Sequence, residues 1–98
     1  MLIAIDFDGT IVDNMKHKMG ERYPPLFPGA RDKISELRRA GHKIMIFSCN
    51  RPGWIQECLD KYEIKVDGFL PEKPIYDILI DDRAIHFDGW DVIQVENE

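Results

Sequence analysis

The sequence has few cysteines, no long hydrophobic run and no excess of basic residues, and each absence excludes a class of protein. The 98 residues include only Cys49 and Cys58, so we expect reduced thiols and no disulfide framework. No apolar run approaches the roughly 20 residues that span a membrane. The start, MLIAID, lacks the basic region of a secretion signal. These absences predict a cytoplasmic protein that makes no contact with a membrane.

Cationic residues and clustered metal ligands are also scarce. Acidic residues outnumber basic ones by 18 to 13, which gives a net charge of −5. Broad nucleic-acid binding depends on lysine and arginine, so it is disfavoured, whereas a single phosphate can still be bound locally. The two cysteines and three histidines are scattered without the spacing of a zinc site.

The length predicts one domain over residues 1–98, built from alternating strands and helices. Apolar runs predict strands buried on both faces at 2–5 and 43–48, a third at 77–80, a last strand at 91–95 and a short strand or turn at 66–74. Helical patterns follow Pro28-Gly29 and begin again at Pro52. Residues 11–27 have little periodicity and predict a flap loop. The order predicts an α/β fold with a central, mostly parallel sheet between two helical layers, a three-layer sandwich.

Polar side chains follow three of the predicted strands. Asp6 and Asp8 follow the first, Ser48 ends the second, and Asp81 and Asp82 end the strand at 77–80. The carboxyl ends of parallel strands meet at one edge, where ligands bind. Clustered carboxylates repel one another unless a cation lies among them, and oxygen ligands of this kind suit Mg²⁺.

The motifs in this order resemble those of the haloacid dehalogenase-like hydrolases. IAIDFDGTIV is similar to the family's first motif, an apolar strand followed by Asp-x-Asp-x-Thr. KIMIFS, ending at Ser48, resembles the second, EKP with Lys73 the third, and DILIDD the acidic fourth. The gaps between the motifs hold a flap and helices but no inserted cap domain, so the resemblance implies a capless, Rossmann-like phosphatase.

The resemblance implies a role for each matching residue in phosphate ester hydrolysis. Asp6 would attack phosphorus and form an aspartyl-phosphate, and Asp8 would protonate the leaving oxygen and then activate water. Ser48 and Lys73 would hold the phosphoryl oxygens. An acid at position 8 favours a phosphatase over the family's dehalogenases and ion pumps, which lack it.

The same resemblance implies a Mg²⁺ site and further supporting residues. Asp6, the Asp8 carbonyl and Asp81 would bind the ion, with Asp82 acting through water or as an orienting neighbour. Thr10 would brace the loop. Apart from the resemblance, Arg51 follows the second predicted strand, so we expect it to reach toward the leaving group. The expected phosphate-lining residues are Phe7, Asp8, Ser48, Cys49 and Lys73.

Several alternatives remain open from the sequence. Asp6 and Asp8 could form a turn, Ser48 could cap the following helix, and Lys73 could be a solvated loop residue. The chain could be a non-catalytic or regulatory module that binds phosphate or metal on the same fold. A phosphoacceptor receiver domain is disfavoured because KIMIFS ends without an aspartate, and a carboxylate-only nuclease leaves Ser48 and Lys73 unexplained. An open site also suits a phosphorylated nucleic-acid end, or a homo-oligomer in which a neighbouring subunit covers the site.

Overall fold

The structure, a computed structural model, describes residues 1–95 and shows a small α/β domain. Residues 96–98 of the predicted domain lie outside the described part. The described elements are β1 (Leu2–Ile5), α1 (Ala30–Arg39), β2 (Lys43–Ile46), α2 (Pro52–Lys61) and β3 (Gly68–Phe69), with 3₁₀ turns at Asn14–Lys16 and Trp90–Val92. The three strands are parallel, so the predicted α/β class with a parallel sheet is confirmed.

No helix in residues 1–95 has both the length and the apolar character needed to span a bilayer.

The sheet places β2 in the centre, with β1 on one side and β3 on the other. Ile3 of β1 pairs with Ile44 of β2, and Ile5 pairs with Ile46. Because paired residues of neighbouring strands share a face, these four isoleucines project from the same side of the sheet. The carboxyl ends of all three strands lie at the same edge, as the sequence predicts for a parallel sheet.

Both predicted helices are present and lie where their sequence signals place them. Gly29 precedes α1 with φ 83°, a left-handed conformation that glycine adopts without strain, and Pro52 occupies the first turn of α2. Each helix buries one face. The buried residues are Ala30, Ile34 and Leu37 in α1, and Ile55, Cys58 and Leu59 in α2.

Only one face of the sheet is buried among the described residues. Ile5, Ile44 and Ile46 are at most 6% exposed, whereas Leu2 is 58% exposed on the opposite face. Ala4 is also exposed on that face. The prediction that the first strand is buried on both faces is therefore wrong, because the helical layer covers a single side. The finer prediction of a three-layer sandwich is not confirmed.

The predicted strand at 77–80 is not formed. Ile78 and Ile80 are 79% and 95% exposed, and within residues 1–95 the β1 edge pairs with β2 alone. The three apolar residues of this run, Ile78, Leu79 and Ile80, favour a strand, but a strand is stable only when a neighbour satisfies its backbone groups. The last backbone hydrogen bond to the sheet before this segment joins the amide of Leu70 to the carbonyl of Ile46.

The predicted last strand at 91–95 is also wrong, because a 3₁₀ turn over Trp90–Val92 occupies its start. Gly89 precedes the turn with φ 107°, which redirects the chain and buries the Trp90 side chain to 4% exposure. The indole packs edge-on against Phe87, which in turn meets Phe27 in the same way. Within the described part of the chain, residues 91–95 have no strand partner, and the turn that buries Trp90 forms at their start.

The predicted flap is a loop whose base is closed by backbone hydrogen bonds. The amide of Asp13 donates to the carbonyl of Pro25, and the amide of Phe27 donates to the carbonyl of Ile11. Its second arm is attached to α2, where the Tyr23 ring stacks on Trp54 and the Tyr23 hydroxyl donates to Glu57. Asn14, the residue after the closed base, reaches the carboxyl edge of the sheet through its contact with Asp8.

Candidate functional site

The candidate site lies at the carboxyl edge of the sheet, where three loops meet. The first loop follows β1 and carries Asp6 and Asp8, the second follows β2 and carries Ser48, and the third follows β3 and carries Lys73. Side-chain contacts join the first loop to each of the other two. The parallel sheet thus brings together residues far apart in sequence.

Asp6 and Lys73 form an ion pair. Lys73 Nζ lies 3.1 Å from Asp6 Oδ1, and the lysine side chain is 12% exposed while that of Asp6 is 41% exposed. The Lys73 ammonium also lies 5.5 Å from the ring centroid of Phe47 and 5.6 Å from that of Tyr76. These contacts show that Lys73 is not a solvated loop residue, because its side chain packs against a carboxylate and two aromatic rings.

The environment of Lys73 favours its charged form. Burial acts to lower the pKa of this ammonium, but the hydrogen bond and charge of Asp6, together with Tyr76, outweigh burial and raise the pKa above its usual value. Lys73 therefore stays protonated at neutral pH. A fixed cation beside Asp6 is suited to holding the oxygens of a phosphoryl group.

Asp8 has different partners from Asp6, although only Phe7 separates them. Asn14 Nδ2 donates to Asp8 Oδ1 at 2.7 Å, and Asn50 Nδ2 donates to Asp8 Oδ2 at 3.0 Å. Both partners are neutral amides, so they orient the Asp8 side chain through hydrogen bonds and not through an opposite charge. One carboxylate thus faces a cation and the other faces two hydrogen-bond donors.

Ser48 shapes the loop between β2 and α2. Its Oγ accepts a hydrogen bond from the Asn50 amide at 3.1 Å, while Asn50 Oδ1 accepts from the Arg51 amide at 2.8 Å. The N-cap of α2 is Arg51, so Ser48 forms a turn before the helix and does not cap the helix directly. Ser48 thereby places Asn50, which holds Asp8.

The loop after β1 is anchored in the core. Phe7 is fully buried, and its carbonyl accepts hydrogen bonds from the amides of Thr10, Ile11 and Val12. The Thr10 carbonyl accepts a hydrogen bond of 2.8 Å from the indole nitrogen of Trp90, 80 residues away in sequence. The loop that carries Asp8 is therefore braced through the backbone of Thr10.

Some predicted site residues have no hydrogen bond or ion pair to Asp6, Asp8 or Lys73 within residues 1–95. Asp81 lies in an exposed turn, where its Oδ1 accepts from the Arg83 amide at 2.6 Å, and Asp82 is exposed beside it. Within residues 1–95, no group of three acidic, histidine or cysteine side chains is gathered as a metal site. Cys49 and Arg51 follow Ser48 as expected, but both are exposed. That Asp81 and Asp82 bind a metal ion stays a prediction.

Sequence reasoning missed two residues that contact Asp8, namely Asn14 and Asn50. Asn50 was detectable in principle, because it lies two residues beyond Ser48 at the same strand end. Asn14 had no comparable signal, since its contact depends on how the flap folds back over the sheet edge. The hydrogen bond from the Trp90 indole to the Thr10 carbonyl joins residues that are 80 positions apart, and no sequence motif signals it.

Comparison with protein-family models, with curated proteins and with solved structures finds no match to this chain. The site itself, and the resemblance of its motifs described above, are therefore what support a function.

Proposed function

We propose that this protein is a Mg²⁺-dependent phosphomonoester hydrolase that works through an aspartyl-phosphate on Asp6. The observation that carries the proposal is the meeting of Asp6, Asp8 and Lys73 at the carboxyl edge of a parallel sheet. The site contains a partly exposed carboxylate beside a cation, and a second carboxylate two residues away with its orientation fixed. This combination matches what phosphoryl transfer needs, a nucleophile, a proton carrier and a cation for the transferred oxygens.

In the first step, a carboxylate oxygen of Asp6 forms a bond to phosphorus while the bond from phosphorus to the ester oxygen breaks. Asp8 enters this step as the neutral carboxylic acid and donates its proton to that leaving oxygen, so an alcohol departs and Asp8 becomes a carboxylate. In the second step, water attacks phosphorus, Asp8 takes the water proton, and the bond between Asp6 and phosphorus breaks to give inorganic phosphate. Lys73 holds phosphoryl oxygens throughout, and the loop of Ser48 keeps Asp8 in place.

The oxygen donors of this edge fit Mg²⁺. The ion needs only one or two carboxylates when water and substrate oxygens complete its octahedron, and Asp6 is partly exposed. Asp6 and the backbone carbonyl of Asp8 would hold the ion, and we propose Asp81 and Asp82 as further ligands. When bound, Mg²⁺ supplies positive charge that offsets the repulsion between Asp6 and the incoming phosphate.

The test is phosphate release from a panel of phosphomonoesters, with Mg²⁺ and with a chelator. We expect the wild type to release phosphate only with the metal, and Asp6→Asn to lose turnover because an amide is a poor nucleophile. Asp60→Asn is the matched control, since Asp60 is an exposed carboxylate on α2 that accepts a hydrogen bond from Gln56. Near-normal turnover by Asp6→Asn would contradict the covalent mechanism.

A non-catalytic module on the same fold is the second candidate. The ion pair between Asp6 and Lys73 supports it, because a nucleophile that is already paired with a cation could serve only to bind phosphate. Binding of inorganic phosphate, without release of phosphate from any ester including phosphorylated nucleic-acid ends, would favour this candidate over the phosphatase.

A further inference from the structure

Both oxygens of Asp8 already have a hydrogen-bond partner, and the two partners come from different parts of the fold. Asn14 belongs to the 3₁₀ turn of the flap, whereas Asn50 belongs to the loop between β2 and α2. In the proposed reaction, Asp8 must bring one oxygen to the leaving group. The leaving oxygen therefore competes for one Asp8 oxygen with the asparagine that already contacts it.

Asn50 is held in place by its own hydrogen bonds. Its Oδ1 accepts from the Arg51 amide and its backbone amide donates to Ser48 Oγ. Because Oδ1 is committed as an acceptor, Nδ2 is the atom that faces Asp8, and the orientation of the side-chain amide is set by the network. Asn50 is also half-buried, so its contact with Asp8 Oδ2 is built into the loop.

Asn14 is in a more exposed position. It follows the closed base of the flap and is exposed, as is the next residue, Met15, at 95%. Its turn is closed by two short-range contacts, from the Met15 amide to the Asp13 side chain and from the His17 amide to the Asn14 carbonyl. An exposed hydrogen bond adds little net stability, because water or a substrate atom can replace either partner. Asp8 Oδ1 is therefore the oxygen whose partner is more easily exchanged.

Resting on the function proposed above, we propose that Asn50 is the positioning residue for the general acid Asp8, and that Asn14 occupies the reacting oxygen until substrate displaces it. Asn50 holds Oδ2, so Oδ1 points in a fixed direction and carries the proton that reaches the leaving oxygen. Asn14 shields Oδ1 in the free enzyme, which makes the flap a competitor of the leaving group.

The test compares kcat/KM for two esters whose leaving groups differ in their need for a proton, 4-nitrophenyl phosphate and a simple alkyl phosphate. A nitrophenolate departs without protonation, whereas an alkoxide does not. We expect Asn50→Ala to lower kcat/KM for the alkyl ester about tenfold or more, and to change the aryl ester far less. A residue with only a structural role would lower both values in parallel.

Asn14→Ala gives the opposite expectation, because it removes the competitor for Oδ1. We expect it to lower KM for the alkyl ester by roughly two- to tenfold, the value of one exchanged hydrogen bond. Met19→Ala is the matched control, since Met19 lies on the same flap, is fully exposed and touches nothing in the site. Circular dichroism melting curves of all variants verify that they are folded.

The outcomes separate this inference from the function on which it rests. Parallel loss on both esters in Asn50→Ala, or a raised KM in Asn14→Ala, would overturn the inference while the phosphatase assignment stands. If the wild type released phosphate from neither ester, nor from any other member of the panel, the proposed function would fail and the inference would fail with it.

Discussion

At the scale of single residues, two pairs of identical side chains acquire different chemistry from their surroundings. Asp6 and Asp8 are two positions apart, yet one faces the Lys73 ammonium and the other faces two amides. Cys49 is exposed at the site, whereas Cys58 is buried in α2. From the sequence alone, the two aspartates have the same intrinsic reactivity, and so do the two cysteines. The fold makes the two members of each pair different.

The cysteines give a direct test of this difference. Burial, with smaller contributions from the charges of Glu57 and Asp8, raises the pKa of the Cys58 thiol to about 11. Thiolate is the reactive form, and a rise of this size lowers its fraction roughly a hundredfold near pH 8. We expect iodoacetamide at that pH to modify Cys49 and spare Cys58, as measured by peptide mass spectrometry.

The control is the chain unfolded in urea, in which both cysteines should react. Equal modification of the two in the folded protein would mean that the core around α2 opens on the timescale of labelling.

At the scale of elements, the sequence predicted α1, α2 and the two longer strands, because each is a complete local pattern. Ile34 and Leu37 fall on one helical face, and Pro52 opens a helix at the position where its missing amide costs nothing. The failures share one cause. The runs at 77–80 and 91–95 carry apolar patterns, but whether such a run becomes a strand depends on a partner, which no local pattern contains.

The same reasoning explains which parts of the site were predictable. Asp6 and Lys73 were placed by the motifs that flank β1 and β3, and the structure pairs them. Asn14 reaches Asp8 only because the flap base is closed and the turn after Asp13 folds toward the edge. Such contacts depend on loop geometry, which cannot be predicted from local sequence patterns.

The Asp67 carboxylate connects three elements of the fold through hydrogen bonds, and its ionisation makes the free energy of unfolding depend on pH. Its Oδ2 accepts from the Ile44 amide at 2.8 Å and its Oδ1 from Arg38 at 3.2 Å, so it joins β2, α1 and the start of β3. The hydrogen bond from the Ile44 amide, and then that from Arg38, lower the pKa of Asp67 below its ordinary value of 3.8.

A folded-state pKa below the unfolded value means that the ionised carboxylate stabilises the fold above pH 3.8, and that this contribution is lost as pH falls through the lower, folded-state pKa. We therefore expect Asp67→Asn to be less stable than the wild type at pH 7, and the difference to shrink as the pH is lowered below 3.8. Urea unfolding at several pH values measures the difference. A constant difference across this range would show that ionisation of Asp67 is not involved.

At the scale of the whole molecule, Trp90 connects the end of the described chain to its beginning. The buried indole donates to the Thr10 carbonyl and packs on Phe87, so residues 87–90 close over the loop that carries Asp8. Trp90→Phe keeps an aromatic ring but leaves the carbonyl without its donor, and we expect a loss of about 1 kcal/mol in the free energy of unfolding.

Trp90→Ala also removes the ring, and we expect a loss of about 3–5 kcal/mol. Urea unfolding followed by circular dichroism measures both variants. Trp54→Phe is the control, because Trp54 is half-buried and stacked on Tyr23 at 5.6 Å, and a phenylalanine ring can preserve that stacking. A Trp90→Phe variant as stable as the wild type would show that water replaces the indole at Thr10.

An exposed apolar segment over residues 75–80 favours association between copies of the chain. Ile75, Ile78 and Ile80 are each at least 79% exposed, and one edge of β1 has no strand partner within residues 1–95. In dilute, low-salt solution, the net charge of −5 keeps copies of the chain apart by mutual repulsion. Added salt screens that repulsion and leaves the apolar attraction in place. The protein is therefore expected to be less soluble at high ionic strength than at low.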